Sequence, residues 1–238
     1  MLYFGKKENV MNLYRRFALG TLCGFMTLAL SACGDKATSA GAIDNGCPDG
    51  GPCMEYDAEA NTLKDLRDKQ VYRTVSIGEQ TWMAENMNYS MSSYSWCYNK
   101  STSHCEKYGS LYTWDAAKVV CPDGWKLPND DDWNELFKSA GGLSKAGDAL
   151  KSSGIEESEE KWKDDGNGND SFDFTVLPGG DRDIKGKFNN IGEYAFFWSA
   201  STKSDGNPYI WRFGYDESSA GRSFDSKDVA VSVRCIKK

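Results

Sequence analysis

Cys121-Pro122-Asp123-Gly124-Trp125-Lys126-Leu127-Pro128-Asn129-Asp130-Asp131-Asp132-Trp133 is the stretch whose reading decides the fold. Pro-Asp-Gly stops any helix that runs into Cys121, because Pro lacks the amide hydrogen and Gly unlocks the turn. Trp125-Lys126-Leu127 is too short for anything but an extended piece. Asn129 or Asp130 then caps a new helix, and the acidic run suits the positive end of its dipole. Trp133, Leu136 and Phe137 give that helix one apolar face. Upstream, Leu111, Trp114, Ala117 and Val120 recur at helical spacing, with Lys118 near the end, which predicts one helix over 108–120. A third helical piece fits 146–152.

Strand patterns lie on either side. Gln70 to Ile77 alternates apolar with polar residues, Gly78-Glu79 turns the chain, and Gln80 to Met83 is a second short strand. Residues 154–171 are polar, acidic and Gly-rich, a loop. Phe172–Leu177, Ala195–Ser201, Ile210–Tyr215 and Val229–Ile236 read as further strands. The class is therefore α+β: two or three helices, a small antiparallel sheet and long irregular loops, in one domain over 63–238.

The N-terminus is different. Arg15 and Arg16 precede a run from Phe17 to Leu30 that is apolar or small, the length of a signal-peptide core and short for a membrane span. Leu30-Ser31-Ala32-Cys33 resembles a bacterial lipobox, in which the Cys is lipidated and becomes the first mature residue. The expectation is a signal peptide over 1–32, within which Met11 is an alternative start, lipidation of Cys33, and a flexible tether over 33–62 that is small and polar from Gly34 to Gly41. Gly34, not Asp, follows the Cys, so the expected destination is the outer membrane of a Gram-negative cell. A lipid anchor makes the membrane a partner without a spanning helix.

The 238 residues carry 28 Lys+Arg against 35 Asp+Glu, a net −7, with 39% hydrophobic and 13% aromatic residues. That is apolar enough for a core, and disorder throughout is excluded. The sequence pI near 4.9 argues against a nucleic-acid partner. Four basic residues and one acidic residue would leave with residues 1–32, taking the charge to −10. The single His, His104, excludes a two-His metal site and leaves one candidate base for a nucleophilic triad.

Of eight Cys, Cys23 leaves with the signal and Cys33 takes lipid. Cys47, Cys53, Cys97, Cys105, Cys121 and Cys235 remain, an even number in an exported chain, which reads as disulfides. Fifteen connectivities are possible. The spacing favours Cys47 with Cys53 across a Pro/Gly loop and Cys97 with Cys105 across a polar turn, which leaves Cys121 for Cys235. Metal ligation, the alternative, lacks a C-x-x-C and a second His.

Several blocks coincide with one family: Val75-Ser76-Ile77-Gly78-Glu79-Gln80-Thr81-Trp82-Met83-Ala84-Glu85-Asn86-Met87-Asn88-Tyr89, Cys105 to Trp114, Cys121 to Pro128, Leu177-Pro178-Gly179-Gly180, Phe197-Trp198-Ser199-Ala200-Ser201 and Ser232-Val233-Arg234-Cys235. In this order they resemble the Fibrobacter succinogenes major paralogous domain. The resemblance implies secreted or lipid-anchored bacterial proteins without an assigned activity. The pattern is also similar to the C-type-lectin-like fold that includes formylglycine-generating enzymes. There a long disulfide joins the first helix to the last strand, a role that suits Cys121–Cys235. Lys126-Leu127-Pro128 followed by Trp133 resembles a block of that enzyme branch, but the branch's copper-binding cysteine pair has no counterpart.

Candidate sites are few. Asp165, Asn167, Asn169 and Asp170 alternate oxygen side chains with Gly, a pattern suited to calcium. Asp170 stands where an EF-hand needs Gly and Val176 where it needs Glu, so only a looser calcium site remains; no other cofactor is expected. His104 reads as an exposed loop residue. No pair of carboxylates is singled out for glycoside hydrolysis. Trp82, Trp114, Trp125, Trp133 and Trp198 read as core; Trp96, Trp162 and Trp211 are freer. Trp162, in the acidic loop, is the candidate ligand-stacking residue. The expectation is a non-enzymatic binding module for a glycan or a surface protein, against an enzyme of the formylglycine-generating branch or a purely structural envelope protein.

Overall fold

The structure, a computed structural model, describes residues 52–154 and 162–238. Strand β1 (Met54–Asp57) pairs with β2 (Thr62–Asp65), and β2 with β3 (Val71–Ile77). Gly78, at φ +60°, turns β3 into β4 (Gln80–Met83). β5 (Ser95–Trp96), α1 (Thr102–Tyr108), β6 (Leu111–Tyr112), α2 (Trp114–Val120), β7 (Trp125–Lys126), α3 (Asp130–Ser139) and α4 (Ala146–Leu150) follow. The C-terminal part holds β8 (Asp181–Arg182), β9 (Phe188–Asn189), β10 (Tyr194–Thr202), β11 (Pro208–Gly214), β12 (Ala220–Phe224), β13 (Val231–Ser232) and β14 (Ile236–Lys237).

Two six-stranded sheets run β1-β2-β3-β4-β14-β7 and β12-β11-β10-β13-β6-β5, and β8-β9 stand as a separate pair. Pairing is antiparallel except between β10 and β13. The fold is α+β, with four α-helices among the described residues. Helix α3 starts on a capping box: the Asp132 amide donates to Asn129 Oδ1 at 2.9 Å, and the Asn129 amide to Asp132 Oδ2 at 2.8 Å. Its buried face meets the second sheet, with Phe137 4.7 Å from Trp211 and Trp133 5.6 Å from Phe197. A second core gathers Tyr112, Trp114, Trp125, Trp198 and Val231. Burying each such ring stabilises the fold by roughly 1.5–3 kcal/mol.

Several expectations are corrected. β1 and the first residue of β2 lie inside the segment read as tether, because β1 closes a hairpin onto β2. The helix expected over 108–120 is divided. Gly109 stands at φ +73°, and a Cβ there would meet Asn86 at 2.7 Å, so the backbone turns. Leu111 and Tyr112 then pair with Ser232 and Val231. Residues 172–177 form one bridge, Lys151 to Val176, instead of a strand, since Asp173 and Thr175 take positive φ. The last expected strand splits into β13 and β14, one in each sheet. Tyr194, Phe196 and Trp198 point to one face of β10, Ala195 and Phe197 to the face that packs on α3.

Disulfides join Cys97 to Cys105 and Cys121 to Cys235. Cys53 is also disulfide-bonded. Cys33 and Cys47 lie outside the described residues.

Candidate functional site

Two of the concave regions among the described residues combine polar groups with an aromatic ring. The first, a cavity of about 200 Å³, is bordered by Tyr72, Asn86, Asn88, Lys107, Thr175 and Arg234. Arg234 is 1% exposed. Its Nε and Nη2 donate to Asn86 Oδ1 at 3.0 and 2.7 Å, Nη2 to the Thr175 carbonyl at 3.2 Å, and Nη1 to the carbonyls of Met83 and Phe174. The Phe174 ring lies 4.6 Å from the guanidinium carbon. Asn86 in turn donates to the Tyr108 carbonyl at 2.8 Å. No carboxylate pairs with Arg234 among the described residues, and burial pulls its guanidinium down to about 9, still charged at neutral pH. Every guanidinium N–H is therefore spent inside the protein. This network ties the 83–86 segment, the 174–175 segment and the connection between β13 and β14 together. It offers a ligand little.

The second region lies on the other face of β10. Tyr194 and Phe196 are half-buried, with ring centroids 5.7 Å apart and planes 25° from parallel. The Arg212 guanidinium, opposite Phe196 in register, sits 5.6 Å from the Tyr194 ring and is held by Glu217 at 2.6 Å. Beside Phe196 opens a cavity of about 150 Å³. Ile210, Val229 and Val231 are its buried apolar lining; Asp181, Asn190 and Asp225 supply polar groups. Asn190 Nδ2 donates to Asp181 at 2.6 Å, and burial pushes the Asp181 carboxyl up. Neither Asp181 nor Asp225 belongs to an ion pair among the described residues. A flat aromatic pair beside carboxylate and amide groups is chemistry that stacks on a sugar ring and hydrogen-bonds its hydroxyls.

The model of the Fibrobacter succinogenes major domain matches residues 75–237. The chain belongs to that family. No curated protein and no solved structure matches it. In this Fibrobacter succinogenes major domain the sequence blocks build the scaffold. They supply Asn86, Tyr108, Arg234, both ends of the Cys121–Cys235 bridge, and the core rings Trp82, Trp114, Trp125 and Trp198. Asp181, Asn190, Tyr194, Phe196, Arg212 and Asp225 all lie outside the blocks.

The residues singled out from sequence are dispersed. Trp162 is a correction: it is 2% exposed, and its Nε1 donates to Ser152 Oγ at 3.2 Å. The reason is Lys151, whose buried ammonium lies 5.2 Å from the Trp162 ring. That ammonium donates to the carbonyls of Gly166, Gly214 and Glu217 at 2.9, 3.0 and 2.9 Å, which pulls residues 162–166 onto the sheet. The calcium candidates do not converge. Asp165 is exposed, Asn167 Oδ1 accepts from the Trp162 amide, Asn169 Oδ1 from Ser171, and the Asp170 carboxylate from Thr175 N and Oγ1. Among the described residues, no group of three or more His, Cys, Asp or Glu is placed to hold a metal ion.

His104 is on helix α1, not in an exposed loop; it is half-buried, with Nδ1 2.9 Å from the Tyr98 carbonyl and its ring against Tyr98. Trp211, read as free, is buried and donates to Asp130 at 3.1 Å. Trp96 is half-buried under Arg182. No helix among the described residues is long and apolar enough to cross a membrane. Sequence reasoning missed Tyr194, Phe196 and Asp181. The signal was the period of two along β10, which sends Tyr194 and Phe196 away from Ala195 and Phe197.

Proposed function

We propose that this protein is a lipid-anchored, extracytoplasmic binding module, C-type-lectin-like in fold, that takes a glycan on the Tyr194–Phe196 face. The near-parallel, half-buried ring pair beside Asp181, Asn190 and Asp225 carries the reading. Apolar rings left half-open on a sheet face are available to a sugar, whereas the rings on the opposite face are consumed by α3. The lectin-like arrangement is supported by the Cys121–Cys235 bridge, which joins the end of α2 to the start of β14, and by the long loops around the second sheet. The lipobox at Cys33 supports export and anchoring to the outer membrane.

The test uses the full chain purified from membranes. A glycan array, followed by calorimetry, should give saturable binding that Phe196→Ala weakens at least tenfold, at an unchanged Tm within a few degrees. An array without binding overturns the glycan reading. Mass spectrometry of the exported chain should find acylated Cys33 as its first residue; an unprocessed N-terminus overturns the anchor.

A further inference from the structure

Resting on that reading of the Tyr194–Phe196 face, we propose that the adjoining cavity takes an ammonium group, so that the glycan recognised is an amino sugar without its N-acetyl group. The cavity's own composition carries the inference. Asp181 and Asp225 both line it, and they are close enough to act on each other electrostatically. Asp181 holds its carboxylate partly out of water beside Ile210, Val229 and Val231, and Asp225 at the exposed rim of the cavity repels it. The neighbouring basic groups do not relieve them. Arg212 is drawn to Glu217, and Arg182 lies 4.0 Å from the Trp96 ring. Asn190 and Asn189 give Asp181 neutral partners only. A ligand cation placed here meets two carboxylates and the face of Phe196, a combination that favours ammonium over a neutral group. The neutral N-acetyl group gains neither the charge pairing nor the cation–π contact. The same sugar keeps its ring against Phe196 and Tyr194, with Asn190 available to a hydroxyl.

Calorimetry at neutral pH on the full chain decides it, with oligomers of glucosamine and of N-acetylglucosamine of equal length as probes. The glucosamine oligomer should bind at least tenfold more tightly. Asp181→Asn and Asp225→Asn should each remove most of that preference, and raised salt should weaken it. Asp225 is exposed and lies outside the sheets, so Asp225→Asn keeps the test readable should Asp181→Asn alter folding. Equal affinity for the two oligomers overturns the ammonium site and leaves the glycan reading in place. Binding of some other glycan on the array, without binding of the glucosamine oligomer, has the same meaning. Calcium binding to the sugar-free chain that is lost in Asp225→Asn also overturns it, since the carboxylates would then serve a metal. A chain that binds no glycan at all sinks the underlying reading as well, and the array reports that separately.

Discussion

The cleft over Arg234 and the cavity beside Phe196 are both lined by polar groups, and they differ in what those groups already hold. Around Arg234 every donor has an acceptor within the chain, and Asn86 is used on both its oxygen and its nitrogen. Beside Phe196 two carboxylates stand without a cation, on a face whose rings are half-covered. A buried polar group that is fully matched specifies one arrangement of the backbone. A group left short of partners keeps interaction energy available to a ligand. The contrast predicts that changes at the first region act on stability and changes at the second on binding.

Replacing Cys121 and Cys235 by Ser is the largest break on the scaffold side. Opening that long closure should cost about 4–5 kcal/mol, read from urea unfolding midpoints. Arg234→Met follows at about 3–5 kcal/mol, because it strands Asn86 Oδ1 and three carbonyls in the interior. Should it cost under about 1 kcal/mol, the distinction between the two regions collapses. Lys151→Met should cost about 2–4 kcal/mol by the same mechanism, and limited proteolysis should then cut near residues 162–170. Phe196→Ala should cost only about 1 kcal/mol while weakening glycan binding at least tenfold, the reverse of the Arg234 pattern.

The smallest effect is the most diagnostic in sign. The Asp181 carboxyl is raised in the folded state, so the native chain holds its proton to higher pH than the unfolded chain does. Stability from this group is full below the ordinary carboxylate range and falls as pH rises to the raised value. Asp181→Asn should therefore be slightly more stable than the parent at neutral pH and indistinguishable from it in acid, as melting curves across pH would show. A cationic ligand should reverse the difference.

Much of the scaffold was legible along the chain. The helix cap, expected at Asn129 or Asp130 and found at Asn129, and the Gly78 turn use neighbours only, and local rules reach them. The division of the 108–120 segment was not legible, because Gly109 turns against Asn86 and Leu111-Tyr112 pairs with β13 more than a hundred residues away. Trp162 failed for the same reason. Its polar surroundings predicted exposure, and a distant Lys151 drew it inside.

Composition and local pattern alone were enough to establish an α+β domain, helix α3 with its cap and buried face, and a cysteine set built for disulfides. Those features depend on side-chain chemistry and on partners a few residues apart. Only the tertiary structure decided which polar residues are spent and which are left over. Arg234 and Asp181 read alike as charged residues near strands. One meets four acceptors contributed by two separate segments, the other meets only the side-chain amides of Asn190 and Asn189. That count depends on which distant segments the fold brings together, and no local periodicity encodes it.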